Sequence, residues 1–188
     1  MSTSLSQEEQ KTINTIALAL SEIIDLNNLN IKHNLNIRKD KAKDSREHTT
    51  SSFQDNLYFA KKLTLENFIT YNYLKLSLNI NILKVSFIYL NIVNASGIAI
   101  SNDNVYLLLY VALILAQKMW ADFVYPNSEY ASFANIPIKE FAEMEMEFVE
   151  SLDYRLFVDV DLFEKYESYF SFFIFSFNDM KILKFFGM

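Results

Sequence analysis

Residues 104–125 read NVYLLLYVALILAQKMWADFVY and contain the most apolar run of the chain, residues 105–116. Residues 105–116 of this stretch contain no charged side chain, and Asp103 and Lys118 bound them. A helix that crosses a bilayer needs about 20 apolar residues, and this run of 12 is too short. We therefore predict a helix in the core of a globular domain and expect no membrane partner.

The composition of the whole chain favours an all-helical protein. Its 188 residues are 51% hydrophobic and 21% charged, which is typical of one globular domain. Two glycines and two prolines are too few for turn-rich β folds or Gly-rich nucleotide loops. The net charge of −6 predicts no nucleic-acid partner. The absence of cysteine excludes disulfides and thiolate metal sites and favours a cytoplasmic or nuclear location, or both.

On the N-terminal side of the apolar run, spacings of three and four between apolar residues predict further helices. The first covers about residues 6–27, and Ser6 with Glu9 forms a capping box at its start. Residues 28–52 lose this periodicity and are rich first in Asn and then in mixed charges, which predicts a flexible linker or insertion. Helical spacing resumes near Leu63, and Thr64 and Asn79 are placed to begin the next two helices.

On the C-terminal side, the apolar helix is expected to run from a cap at residues 101–104 to Asp122. A turn, a short helix at 129–134 and a fifth helix from Pro137 to about Asp153 follow. The last part of the chain contains SYFSFFIFSF, which is typical either of an aggregation-prone strand or of a terminal helix packed on the domain. The sequence thus predicts five connected helices, a flanking N-terminal helix and an apolar tail.

Sequence motifs for catalysis are missing. The chain has no Walker A, G-x-G-x-x-G, H-E-x-x-H or G-x-S-x-G pattern. A di-metal bundle would need Glu-x-x-His pairs, but both histidines, His33 and His48, lie in the predicted linker. We therefore expect no catalytic residue, no metal site, no cofactor and no enzymatic activity.

Two charged residues stand at positions where the pattern expects apolar side chains. Lys118 is the only charged residue between Asp103 and Asp122. Glu145 falls within the apolar stripe of the fifth helix, whose other members are Phe141, Met144, Phe148 and Leu152. A lone buried charge is costly and usually finds a partner, so we predict that Lys118 and Glu145 face each other near a domain edge. Physical chemistry alone leaves two interpretations open, a structural ion pair or a pair whose spare hydrogen bonds serve a partner's backbone.

Several motifs resemble the cyclin box. Residues 104–125 are similar to its third helix, typically N-V-H-R-L-L-L-x-x-x-x-x-A-x-K-[FY]-x-[DE]-D. Residues 125–131, YPNSEYA, resemble the Y-x-N-x-x-Y-A of single-box PHO-type (P/U-type) cyclins. Residues 136–141 and 145–148 match their G-I-x-x-x-E-[ML]-N-x-L-E-x-[DE]-F-L, and residues 152–156 stand where the family has L-x-[FW]-x-L. Further similarities, to the first two helices of the box, are TLENF at 64–68 and FIYLN at 87–91.

The resemblance implies an all-α fold, a five-helix cyclin box preceded by a flanking helix. The implied divisions are the flanking helix at 1–27, the linker at 28–52, the cyclin box at 53–166 and the apolar tail at 167–188. It also implies a cyclin-like regulatory subunit, not itself an enzyme, that forms a heterodimer with a cyclin-dependent protein kinase and activates it by packing on its αC helix.

Matched by position, Lys118 and Glu145 are the family's charge pair that grips the kinase backbone beside αC. Asp122 matches an acidic position near the same face and is the third candidate for kinase binding. The resemblance assigns these three residues to the interface with the kinase.

The chain departs from the family pattern at three places. Asn91-Ile92 replaces an Asp-Arg pair, Tyr106-Leu107 replaces His-Arg, and Ala134-Asn135 replaces Gly-Gly. We expect Tyr106-Leu107 to add apolar surface at an exposed corner and Asn135 to adopt a positive φ. These departures motivate an alternative function, a cyclin-fold interaction or scaffold domain that activates no kinase.

Overall fold

The computed structural model describes the backbone of residues 5–39 and 63–175 and the side chains of residues 5–30 and 63–171. All regular secondary structure in these residues is helical, which confirms the predicted all-α fold. In chain order the helices are α1 (Gln7–Lys39), α2 (Leu65–Lys75), α3 (Ile80–Ala95), α4 (Val105–Trp120), α5 (Asn127–Ala134), α6 (Ile138–Ser151) and α7 (Val160–Phe175).

The first three helices begin where the sequence predicts. The Ser6 and Glu9 side chains form the predicted capping box, with each accepting a hydrogen bond from the other residue's backbone N–H, at 3.2 and 2.7 Å. Thr64 accepts from the Asn67 N–H at 3.2 Å. Asn79 accepts from two backbone N–H groups at the start of α3, each at 3.0 Å. Short polar side chains therefore satisfy the free N–H groups at these helix starts.

Helix α1 extends further than the periodicity predicts. Its backbone is helical to Lys39, so residues 28–39 do not form the expected linker. Asparagine lowers helix propensity by less than about 1 kcal/mol per residue and, unlike proline, does not break a helix. The rest of the predicted linker, with His48, lies outside the described residues. Smaller differences are that α4 ends at Trp120 and that α5 begins at Asn127.

Helix α4 forms the centre of the core. Every residue from Leu107 to Gln117 is buried, as expected for a helix that is apolar on all sides. It packs mainly against α3, with α6 and α2 completing its surroundings. In the part of the chain that the structure describes, no helix combines the length and apolarity needed to cross a membrane.

Helix α7 continues past the predicted end of the cyclin box at residue 166. Phe170 is buried, and its ring lies 5.6 Å from that of Phe87 in α3. Glu167 forms an ion pair with Lys84 of α3 at 2.5 Å. The beginning of the apolar tail is thus a packed helix and not a strand; residues from 176 onwards lie outside the described residues.

Two of the departures from the family pattern have structural explanations. The prediction of an exposed apolar corner at Tyr106-Leu107 is wrong, because Leu107 is buried and the Tyr106 hydroxyl donates to the Leu63 carbonyl at 2.7 Å. Asn135 has the expected positive φ, 56°, and ends α5 in a left-handed conformation. Three other described residues that are not glycine also have positive φ, namely Ser77 after α2 and Asp153 and Tyr154 after α6.

Candidate functional site

Lys118 and Glu145 meet between two helices, as predicted. Lys118 lies in the last turn of α4 and Glu145 in the middle of α6, and the Lys118 ammonium forms an ion pair with Oε1 of Glu145. Their side chains are 25% and 15% exposed. The pair is therefore largely shielded from water but still reaches the surface, which places it at a domain edge.

Asn127, the first residue of α5, completes this cluster. Its side-chain Oδ1 accepts from the Lys118 ammonium at 2.6 Å, and its Nδ2 donates to Oε2 of Glu145 at 3.0 Å. Sequence reasoning did not select Asn127, although it is the Asn of the Y-x-N-x-x-Y-A motif. The three side chains come from three helices, so the cluster fixes α4, α5 and α6 at one point. We call these residues the polar cluster.

The polar cluster retains hydrogen-bonding capacity. An ammonium has three N–H donors, and Lys118 uses two, for Glu145 and Asn127. Each oxygen of the Glu145 carboxylate accepts one of these hydrogen bonds and has a further lone pair. One donor and two acceptor positions therefore remain, which is the set needed to bind both a C=O and an N–H of another protein's backbone.

Two buried aromatic rings lie beside the Lys118 ammonium. Its Nζ is 5.6 Å from the centre of the Tyr130 ring and 5.9 Å from that of Phe141. Both residues are fully buried. Cation–π attraction of this kind helps to hold an ammonium that has lost part of its hydration, so the rings stabilise the charge at its position near the surface.

A buried hydrogen-bond network supports the polar cluster from below. The Tyr130 hydroxyl donates to the Gln117 side chain at 2.9 Å, and Gln117 donates to the Leu76 carbonyl at 2.9 Å. The Tyr110 hydroxyl donates to the Tyr130 carbonyl at 2.7 Å, and burial raises the pKa of both phenols. Within the described side chains, no buried side-chain nitrogen or oxygen lacks a partner. These contacts fix the ends of α2, α4 and α5 relative to one another.

Asp122, the third predicted site residue, is not part of the polar cluster. It lies beyond the end of α4 and is exposed. Its carboxylate makes no hydrogen bond or ion pair with the residues whose side chains are described. No group of three or more His, Asp or Glu side chains that could hold a metal ion occurs in the described ranges.

Comparison with known proteins places these helices in a family. The family model described as Cyclin matches residues 10–156, more than three quarters of the chain. Cyclin-U2-1 of Arabidopsis thaliana is 33% identical over 73 residues, and Cyclin-U2-2 of the same plant is 33% identical over 70 residues. PHO85 cyclin-7 of Saccharomyces cerevisiae is 32% identical over 65 residues.

The matched segments are shorter than the proteins that contain them. They cover 39%, 37% and 35% of this chain for Cyclin-U2-1, Cyclin-U2-2 and PHO85 cyclin-7, and 33%, 30% and 23% of those proteins. The family model, in contrast, extends from α1 through the end of α6. The helical fold, the predicted motifs and the extent of this match lead to one conclusion: the chain belongs to the cyclin family and is similar to its P/U-type members.

Proposed function

We propose that this chain is a regulatory subunit that binds and activates a cyclin-dependent protein kinase by packing on its αC helix. The observation that carries the proposal is the polar cluster, where Lys118 and Glu145 are paired, partly buried and still able to form further hydrogen bonds. Cyclins are regulatory subunits rather than enzymes. One relative is named PHO85 cyclin-7, which supports a kinase partner for this chain. We propose that the protein acts in the cytoplasm, the nucleus or both.

The mechanism follows from the rigidity of the site. A kinase is active when its αC helix is held inward, because this completes the Lys–Glu pair that positions ATP. A partner shifts that equilibrium only if it binds the inward form more tightly than the outward form. Contacts between three helices fix the positions of Lys118 and Glu145. These side chains can therefore bind the kinase backbone in one position of αC.

The test uses the full chain and a panel of purified cyclin-dependent kinases from the same organism. We expect Lys118→Ala and Glu145→Ala to weaken kinase binding by about 2–5 kcal/mol, because each leaves a partly desolvated charge without its partner. Calorimetric titration measures the binding, and phosphorylation of a peptide measures activation of the kinase. Helical content from circular dichroism should stay at the wild-type value.

A second ion pair on α6, the helix that carries Glu145, provides a matched control. Lys139 and Glu143 of α6 also form an ion pair, at 3.8 Å, but their side chains are 88% and 64% exposed. Exposed pairs contribute little, so Lys139→Ala and Glu143→Ala should bind and activate as wild type does. If Lys118→Ala and Glu145→Ala bind the kinase as tightly as wild type does, the pair is structural. Failure of every kinase to bind would favour the alternative, a cyclin-fold scaffold domain.

A further inference from the structure

Helix α1 has a second apolar face besides the one that packs on the core. Its inner face holds buried apolar residues that include Ile13, Ile16, Ala17, Leu20 and Ile24. On the outer side three leucines are exposed, Leu18 by 38%, Leu26 by 40% and Leu29 by 60%. A helix that only covers a core has one apolar stripe and a polar opposite face. Packing within the domain therefore does not account for the outer leucines.

The exposed leucines share a face of α1 with two carboxylates. Successive residues turn by about 100° around a helix, so positions 18, 22, 25, 26 and 29 fall within an arc of about 100°. This spacing, i, i+4, i+7, i+8 and i+11, is that of an amphipathic stripe. It extends over three turns, or about 16 Å. We call these residues the α1 stripe: Leu18, Glu22, Asp25, Leu26 and Leu29.

The two carboxylates of the α1 stripe have no cation beside them. No lysine or arginine stands three or four residues from Glu22 or Asp25 in the sequence. No ion pair joins either of them to a side chain that the structure describes. Burial and the charge of Asp25 raise the pKa of the Glu22 carboxyl. A positive group placed at this part of the stripe would be attracted by both carboxylates.

The Leu18 end of the stripe adjoins a groove between α1 and the start of α2. The groove has a volume of about 570 Å³, with Leu18 on one side and Leu65 on the other. Lys11, which also lines the groove, is exposed and precedes Leu18 by two turns. Side chains of a helix that lies along α1 can enter this groove. The positive groups of such a helix are favoured at the Asp25 end of the stripe and disfavoured at the Lys11 end.

The charges decide which kind of molecule fits the α1 stripe. Nucleic acids and anionic membrane surfaces are negatively charged and are repelled by Glu22 and Asp25. A second copy of this chain would bring the same two carboxylates and a further net charge of −6. An amphipathic helix of another protein, with lysine or arginine beside its apolar residues, complements both the leucines and the carboxylates.

The α1 stripe and the polar cluster belong to different helices. Helix α1 packs mainly on α2, α3 and α7. The polar cluster is formed by Lys118 of α4, Asn127 of α5 and Glu145 of α6. We therefore expect that a protein bound to the α1 stripe leaves the polar cluster accessible.

We propose that the α1 stripe is a docking surface for a basic amphipathic helix of a third protein, separate from the surface proposed for the kinase. The leucines of the stripe bind apolar side chains of that helix, and Glu22 and Asp25 bind its lysines or arginines. This inference goes beyond the proposed function and does not require it. If both proteins bind at the same time, the domain holds the third protein next to the kinase.

The test uses the full chain and a synthetic helical peptide of about 18 residues, long enough to form a helix. The peptide consists of leucine, alanine and lysine, with leucines at i, i+4, i+7 and i+11 and lysines beside them. A second peptide has glutamate in place of every lysine. Fluorescence anisotropy of the labelled peptides measures affinity. We expect the lysine peptide to bind and the glutamate peptide to bind at least about tenfold more weakly, because like charges would face each other.

Charge variants locate the binding site on the chain. Glu22→Gln combined with Asp25→Asn should weaken binding of the lysine peptide by roughly three- to tenfold, because two exposed ion pairs are lost. Glu140→Gln combined with Glu143→Gln, on α6, removes two carboxylates at the same spacing and should bind as wild type does. Added salt screens exposed charges, so it should weaken binding to wild type more than binding to the first double variant.

Leucine variants test the apolar part of the contact. Leu29→Ala should weaken binding of the lysine peptide by roughly fivefold, because less apolar surface is buried. Leu29→Met keeps the volume and should stay within about twofold of wild type. Ile138→Ala is the matched control, since Ile138 is an exposed aliphatic residue of α6. Because Leu29 is largely exposed and alanine favours helix, the thermal midpoint of Leu29→Ala should equal that of wild type.

Each of the following results would overturn the inference. Equal binding of the two peptides, or wild-type affinity in the stripe variants, would show that the stripe does not select a basic helix. A lower thermal midpoint for Leu29→Ala would show that the chain itself covers the stripe. A dimer that Leu29→Ala dissociates in sedimentation would make the stripe a contact between copies.

The kinase provides the last control. If the kinase that binds wild type most tightly displaces the lysine peptide, the stripe belongs to the kinase interface and the inference is wrong, while the proposed function stands. If no kinase of the panel binds, the proposed function fails, and the peptide measurements still decide the inference.

Discussion

Two lysines lie within apolar helices of this domain, and each pairs with a glutamate from another helix. Lys84 of α3 is 8% exposed and contacts Glu167 of α7, whose side chain is 38% exposed. Lys118 of α4 is 25% exposed and its partner Glu145 is 15% exposed. The first ammonium is inside the domain and its carboxylate reaches in from the rim; the second pair lies together at the edge.

The neighbours of the two pairs differ as well. Near Lys84, Phe87 of α3 packs against Tyr166, Tyr169 and Phe170, so this region closes α7 onto the core. Near Lys118, Asn127 adds one hydrogen bond to each member of the pair. A buried ion pair is therefore not evidence of function by itself. What distinguishes the second pair is that both of its charged groups reach the surface together and that Asn127 hydrogen-bonds to each of them.

The largest expected effect on stability comes from breaking the first pair. Glu167→Ala leaves the Lys84 ammonium buried without its partner, and we expect the free energy of unfolding to fall by about 3 kcal/mol. Urea denaturation measures this loss. Kinase affinity should remain that of wild type when measured where the variant is folded.

A double variant separates charge from packing at the same place. Lys84→Met with Glu167→Gln removes both charges and keeps most of the volume, so it should recover much of the lost stability. If Glu167→Ala kept wild-type stability but lost kinase binding, the structural role assigned to the Lys84–Glu167 pair would be wrong.

An intermediate effect tests the residue that sequence reasoning missed. Asn127→Ala leaves Lys118 paired with Glu145 but removes one hydrogen bond from each. We expect kinase binding to weaken by about 1 kcal/mol, the usual contribution of such a hydrogen bond. Ser128→Ala, at the exposed neighbouring position of α5, is the matched control for the titration. An unchanged affinity for Asn127→Ala would restrict the interface to the charged pair.

The smallest effect concerns a carboxylate in the first turn of α1. The Tyr73 hydroxyl, which donates to Glu9 at 2.5 Å, and the N–H and hydroxyl of Ser6 hold the pKa of the Glu9 carboxyl below its ordinary value of 4.5. A lowered pKa in the folded state adds stability above the ordinary value, and this stability is lost as the pH falls through the lowered value.

We therefore expect the thermal midpoint of wild type to fall more than that of Glu9→Gln when the pH is lowered from 6 towards 3. Tyr73→Phe removes the largest cause of the shift and should reduce the acid response in the same direction. Equal slopes for wild type and both variants would contradict the assignment. Circular dichroism measures the thermal midpoint. The expected difference between wild type and the variants is small, because Glu9 is near the surface.

The success of the sequence prediction depended on whether the signal was local. The uninterrupted apolar run at residues 105–116 predicted a buried helix, and the two misplaced charges predicted a pair, because a charge in an apolar stripe needs a partner. Asn127 escaped notice, since an asparagine after a turn is ordinary and its partners come from other helices. Lys84 was missed for the same reason, as its partner Glu167 lies in the aromatic tail.

The end of α1 shows the other limit of sequence reasoning. Asparagine-rich residues 28–39 lack a clear periodicity, yet their backbone is helical. The role of Lys118, Glu145 and Asp122 in kinase binding, like the cytoplasmic or nuclear location, stays a prediction. Contact with another molecule leaves no periodic trace in a sequence, so the resemblance to cyclins had to supply it.

The left-handed residues at the helix ends have a consequence for how this protein can evolve. A residue with a side chain costs roughly 1–2 kcal/mol in this conformation, and glycine avoids most of that cost. Ser77, at the end of α2, is such a residue. Replacement by glycine there would add tolerance to destabilising substitutions elsewhere. A lineage that gained this margin could accept destabilising substitutions on its surface and still fold.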